Sequence, residues 1–163
     1  MKKQDPNQEH LQSIISLFTQ GQLQQALSES SQLLERFPNS VVLYNIAGAC
    51  NAGLMQFDAA IRSYKKALKI NPDYADAYSN MGNALKDKGD LEAAIQSYKQ
   101  ALKIKPDYAQ AYNNMGNALK DKGDLEAAIQ SYKQALKIKP DYAQAYSNMG
   151  NALKSQGDVE AAI

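Results

Sequence analysis

The stretch Ala75–Tyr108, ADAYSNMGNALKDKGDLEAAIQSYKQALKIKPDY, decides how the rest of the chain is read. It recurs at once as Ala109–Tyr142 with two changes, Asp76 to Gln110 and Ser79 to Asn113, and a third copy starts at Ala143. The period is 34 residues. Self-similarity at a fixed period of this size marks an array of stacked supersecondary units.

Inside the stretch, Ala77, Tyr78, Met81, Gly82 and Leu85 fall at the i, i+3, i+4 spacing of an amphipathic helix running from Ala75 to about Lys88. Gly89 ends that helix and Asp90 offers a side-chain oxygen to cap the next one. The second helix carries Leu91, Ala94, Ile95, Tyr98, Ala101, Leu102 and Ile104. Pro106 stops it, and Asp107 is placed to cap the following helix, with Gln110 completing a D-x-x-Q capping box. Glycine inside a helix costs about 1 kcal/mol relative to alanine. Its recurrence at Gly82, Gly116 and Gly150 therefore predicts a close approach of paired helices.

Outward from the stretch, the frame divides the chain into units at about 7–40, 41–74, 75–108, 109–142 and a partial 143–163, all within one domain. Met1–Gln4 reads as a short disordered tail, and Asp5–Pro6 as a helix start. The first unit is worn: Ala26 and Pro38 keep the pattern, whereas His10, Ser13, Ile14 and Ser30 do not. Its helices are expected at about Pro6–Gln20 and Gln22–Phe37. Such divergence suits a terminal unit, one face of which meets water. In the last unit Gly157 and Asp158 repeat the turn signal, so a second helix is expected to begin at Val159.

The spaced residues Tyr78, Met81–Gly82, Leu85, Ala94, Tyr98, Ala101 and Pro106 resemble the tetratricopeptide repeat (TPR) pattern W-x2-L-G-x2-Y…A-x3-F…A…P, with apolar exchanges that keep size. The resemblance implies an all-α helix-turn-helix solenoid, a right-handed superhelix of four full repeats and a truncated fifth. It also implies that first helices line a concave side where protein or peptide partners bind. The wording is similar to the TPR arrays of O-linked N-acetylglucosamine transferases and of related bacterial TPR proteins.

On that frame the exposed stripe of the first helices is Asp76, Ser79, Asn80, Asn83, Lys86 and Asp87; then Gln110, Asn113, Asn114, Asn117, Lys120 and Asp121; then Gln144, Ser147, Asn148, Asn151, Lys154 and Ser155. An asparagine amide both donates and accepts, so it pairs with a peptide backbone whatever the side chains are. The candidate peptide-binding residues are Asn80, Asn83, Lys86, Asn113, Asn114, Asn117, Lys120, Asn148, Asn151 and Lys154, against the alternative that these residues only solvate the face. Asn80, Asn114 and Asn148 match the asparagine ladder of the transferase arrays, which lapses at Ile46 and Gln12. The carboxylate clamp of heat-shock co-chaperones is met at Asn83 and Asn114 but lapses at its cationic places, Ser79, Asp76, Gln144 and Asn148. Leu11, Ile15, Phe18, Val42, Ile46, Ala49 and Ala52 make the N-terminal part apolar, and a covering helix or neighbour is expected there.

Composition narrows the partners. The chain has 163 residues, a net charge of +1 and 44% hydrophobic residues. No basic cluster points to nucleic acid. No apolar run approaches the ~20 residues that span a bilayer, so no membrane partner is expected. The single cysteine, Cys50, forms no internal disulfide and fits a cytoplasmic location. His10 and Cys50 have no catalytic or metal-ligand companions in the pattern. No catalytic residue, metal site or cofactor is expected, and the chain reads as a non-enzymatic protein-binding scaffold. Two other readings stand beside it: the substrate-recognition arm of a larger glycosyltransferase-like enzyme, and a self-assembling array that associates through its C-terminal end.

Overall fold

Gly89 and Gly123 take up left-handed backbone angles, φ 96° and 93°, where each first helix gives way to its second. At each, two hydrogen bonds close the helix end: Gly123 N–H donates to the Lys120 carbonyl and Asp124 N–H to the Leu119 carbonyl, both at 2.9 Å. The Asp124 side chain then caps the next helix by accepting from Ala127 N–H, and Asp90 does the same for Ala93. Gly21 makes the same turn at φ 76°. In the 41–74 unit the place falls on Met55, which adopts φ 60°. A side chain in that region clashes with its own backbone, costing about 1–2 kcal/mol.

These turns punctuate an all-α chain. The computed structural model describes residues 5–161, with side chains as far as Gly157; Met1–Gln4 and the last residues of the partial unit lie outside the described residues. Among the described residues there are nine helices and no strand. They are α1 (Gln8–Thr19), α2 (Leu23–Arg36), α3 (Val41–Gly53), α4 (Phe57–Ile70), α5 (Ala75–Lys88), α6 (Leu91–Ile104), α7 (Ala109–Lys122), α8 (Leu125–Ile138) and α9 (Ala143–Ala161).

The helices form two compact units, Met1–Ala84 and Leu85–Ile163. The core of the first gathers Ile14, Ala26, Leu33, Leu43 and Cys50 from α1, α2 and α3. A second cluster there packs Ala67, Leu68 and Ala77 against Tyr44 and Tyr78. In the other unit, Ala94, Ile95, Tyr98 and Ala118 form one cluster, and Ala128, Ile129, Tyr132 and Ala152 the next; Leu119 packs against both. Burying a large apolar side chain contributes about 1.5–3 kcal/mol, so the second helices, with Ile and Tyr fully packed, carry much of this core.

The expected close approach is present at Gly116, whereas among the described residues nothing lies within 4 Å of a Cβ built on Gly150. A Cβ placed on Gly48 would stand 2.5 Å from the Tyr64 ring, and one on Gly116 would stand 2.5 Å from the Tyr132 ring.

Three expectations need correction. Helix α1 starts at Gln8 with Asn7 as its cap, accepting from His10 N–H at 3.0 Å. Asp5 instead accepts a hydrogen bond from Ser40 Oγ, at the start of α3. Asp107 does not cap α7: Pro106 and Asp107 form the turn, and Tyr108 is the N-cap residue without a side-chain bond. Finally, α9 runs through Gly157 to Ala161 rather than turning. At Gly123 the turn precedes a second helix that packs back through Ile129 and Tyr132. No such packed helix follows Gly157 among the described residues, and the helical ladder continues.

Candidate functional site

The polar rows of the first helices are built by the register of neighbouring repeats. In the Met1–Ala84 unit, Asn80 on α5 donates through Nδ2 to Asn45 Oδ1 on α3, at 3.1 Å. The Asn45 side chain also bonds the Tyr74 hydroxyl, whose pKa burial raises, with Asp76 adding to the rise and the Asn45 bond opposing it. Asn83 is half-buried on the same helix. In the Leu85–Ile163 unit, Asn148 on α9 donates to Asn113 Oδ1 on α7 at 3.0 Å, the same join one pair of repeats further along.

Placement departs from the expected stripe at two residues. Ser79 and Asn113 are buried, at 2% and 0% exposure, so they face a neighbouring helix rather than solvent. The Asn113 Nδ2 has no hydrogen-bond partner. Asn117 is half-buried, and its Oδ1 accepts from the Tyr132 hydroxyl at 2.8 Å. Its amide is thus partly committed to holding the second helix. Burial pushes the Tyr132 hydroxyl up to about 12, with Asp121 contributing.

Asn114 and Lys120 are half-buried, whereas Asn151 and Lys154 are exposed. Lys86 pairs with its neighbour Asp87 at 2.7 Å, which offsets its charge locally. Sequence reasoning missed Asn45 and the Asn–Asn joins. Their signal was available: the joined residues are 35 apart, one more than the repeat.

In the first unit Leu11 and Ile46 pack against the core. Ile15 and Phe18 are 47% and 37% exposed, so the cover expected over them is absent among the described residues.

Among the described residues no three His, Cys, Asp or Glu side chains gather to hold a metal ion. Cys50 is buried, and burial pushes its thiol up to about 11, partly offset by a hydrogen bond from its own backbone. His10 is exposed on α1. No described helix is long and apolar enough to cross a membrane.

The TPR repeat family profile matches at residues 56–89, 82–123 and 116–157, more than half of the chain. The chain belongs to the tetratricopeptide repeat family. A TPR array is a scaffold for protein interactions, and the paired helices, turn glycines and Gly–Tyr contacts above are its structural content.

Among curated relatives, the probable UDP-N-acetylglucosamine–peptide N-acetylglucosaminyltransferase SEC of Arabidopsis thaliana is 37% identical over 74 residues, covering 45% of this chain and 8% of the relative. The small glutamine-rich tetratricopeptide repeat-containing protein 2 of Mycosarcoma maydis is 36% identical over 64 residues, covering 39% of this chain and 18% of the relative. The chain thus spans less than a fifth of the length of either. Among solved structures, MamA superposes with a TM-score of 0.78 at 27% identity, covering 87% of this TPR chain and 83% of that one.

Proposed function

We propose that this TPR array is a non-catalytic scaffold whose polar first-helix faces hold an extended segment of a partner protein. The observation that carries the reading is the Asn148–Asn113 join. It fixes the Asn148 amide before any ligand arrives, so a backbone amide that pairs with it meets a group whose side-chain entropy is already lost. Around it, Asn114, Asn151, Lys120 and Lys154 offer both donors and acceptors at the surface of α7 and α9. Asn80, fixed in the same way by Asn45, gives the α5 face of the other unit the same property. Lys86 contributes little charge because Asp87 neutralises it.

The test is a pull-down from a random peptide library with the full chain, run at low and high salt. Asn151→Ala with Lys154→Ala removes exposed groups without touching the core. The Asn80, Asn114 and Asn148 triple alanine variant removes the ladder. Each hydrogen bond nets about 0.5–1.5 kcal/mol, so the exposed pair should weaken capture several-fold and the triple variant much further, with little effect of salt. Retention of the same peptides by all three proteins would reject the reading.

A second reading rests on the Arabidopsis relative, whose name is that of a peptide-modifying transferase. On it, the array is the substrate-selecting arm of a larger enzyme. A transferase reading frame continuing beyond Ile163 in the source gene would support this, and its absence would reject it.

A further inference from the structure

Five departures from the repeat converge on one cleft of the Met1–Ala84 unit. The cleft has a volume of 240 Å³, with the second helices α2 and α4 as its walls and α3 as its floor. Two of the departures make the floor. Where the later units have Met81 and Leu85, or Met115 and Leu119, the 41–74 unit has Ala47 and Asn51. In the Leu85–Ile163 unit, Met115 and Leu119 pack against the cluster of Ile95 and Tyr98, so long apolar side chains fill this place there. Ala47 and Asn51 are buried but short, and the Asn51 amide turns back to donate to the Ala47 carbonyl at 2.9 Å. The space is left open, with Leu27, Leu34 and Tyr44 around it.

The other three departures set the charge of the walls. Arg62 and Lys66, one turn apart on α4, stand where the later units carry Gln96 and Gln100, or Gln130 and Gln134. On the α2 wall, Ser31 stands where the later units have Lys65 and Lys99. Both cations are exposed at the mouth, and the Lys66 ammonium lies 5.5 Å from the centre of the Tyr44 ring. Neither Asp58 on α4 nor Glu35 on α2 lines the cleft. Among the described residues neither cation is held in an ion pair.

We propose that this cleft is a separate partner site, which takes an acidic segment of a partner protein. A carboxylate of the segment meets Arg62 and Lys66, and an apolar side chain beside it enters over Ala47 between Leu27 and Leu34. A guanidinium matches a carboxylate in charge and in its two-pronged geometry. The volume suits one large side chain and falls below the roughly 300–1,000 Å³ of clefts that take whole small molecules. The occupant is therefore a side chain presented by a protein. None of these residues belongs to the polar first-helix faces, so the inference stands if those faces bind nothing.

The later repeats supply variants that keep the fold, because each substitution already occurs at its position in a neighbouring repeat. Arg62→Gln with Lys66→Gln removes the cations, and Ala47→Met with Asn51→Leu fills the floor. The probe is an array of immobilised peptides, each placing an Asp or Glu within three residues of a Leu or Phe. A matching array carries Asn or Gln in place of the acids. The full chain should bind a subset of the acidic peptides and lose them in the amide array. Each double variant should weaken that binding about ten-fold, and high salt should weaken it also. The Asn80, Asn114 and Asn148 triple alanine variant should bind these peptides as the parent chain does. Circular dichroism should show every variant folded. Equal binding to the amide array, or binding that the Arg62 and Lys66 changes leave intact, would overturn the proposal. So would binding that survives the filled floor, since contact with the charged surface of α4 would then need no cleft. Loss with the asparagine triple variant alone would assign the peptides to the first-helix faces and overturn it as well.

Discussion

The Cε1 atom of Tyr132 lies 2.5 Å from the point where a Cβ would stand on Gly116, and Tyr64 repeats the relationship over Gly48. The helix-interior glycine is therefore the floor on which an aromatic ring rests. Gly116→Ala gains about 1 kcal/mol of helix propensity but forces the ring and its helix outward, at a cost of about 1–3 kcal/mol for overpacking. The expected outcome is net destabilisation of up to about 2 kcal/mol. Gly150→Ala, with nothing to displace, should stabilise by up to about 1 kcal/mol. Urea unfolding of the two variants should give changes of opposite sign.

Met55 stands where Gly21, Gly89 and Gly123 stand, with a left-handed φ of 60° and 75% exposure. Little packing is lost by removing it. Met55→Gly should raise stability by about 1 kcal/mol by releasing the strain. Gln56 follows it as an N-cap without a side-chain bond, so Gln56→Asp should add about 1 kcal/mol more. Thermal melts of the single and double variants would measure both.

The strong local rules were legible in the sequence. Gly89–Asp90 and Gly123–Asp124 carry a left-handed cap followed by an acceptor, and both formed as read. Met55 was not legible as a turn residue, because an ordinary side chain is not expected at positive φ. Ser79 and Asn113 were misplaced because a helical stripe fixes an angle only to within part of a turn. At that edge the crossing of the neighbouring helix decides burial. Asn117 looked like a groove residue until Tyr132, fifteen positions on, claimed its oxygen. Asp107 failed as a cap because the turn through Pro106 shifted the helix start by a residue.

Asn113 is buried, with one amide atom bonded to Asn148 and the other unpaired. Asn148→Ala leaves that buried amide without its remaining partner and should cost about 1–3 kcal/mol. Asn113→Ser, the residue found at Ser79 and Ser147, should relieve the unpaired Nδ2 and cost less. A double-mutant cycle of Asn113→Ala and Asn148→Ala should show coupling of about 0.5 kcal/mol or more, with the double variant less damaged than the sum.

Stability should fall as the pH becomes alkaline. The Cys50 thiol rises from 9.0 to about 11, and the Tyr132 hydroxyl from 10.0 to about 12, chiefly through burial. Both groups hold their proton longer when folded than when unfolded. Between their unfolded and folded values the unfolded chain binds fewer protons, so stability falls as pH rises. The contribution is fully present below pH 9 and is lost through pH 12. Urea midpoints measured from pH 7 to pH 11 should be level at first and then decline; Cys50→Ala should move the onset of the decline upward by about one pH unit.

The side-chain hydrogen bonds Asp5–Ser40, Asn45–Asn80 and Asn113–Asn148 each span 35 positions, one more than the repeat. Ties that reach only to the next repeat close short loops as the chain folds, so ordering can begin at any helix pair and spread. The same locality lets terminal helices open while the middle stays shut. Amide protons of α6 and α8 should then exchange last, and those of α1 and α9 first, in a graded sequence rather than a single cooperative release.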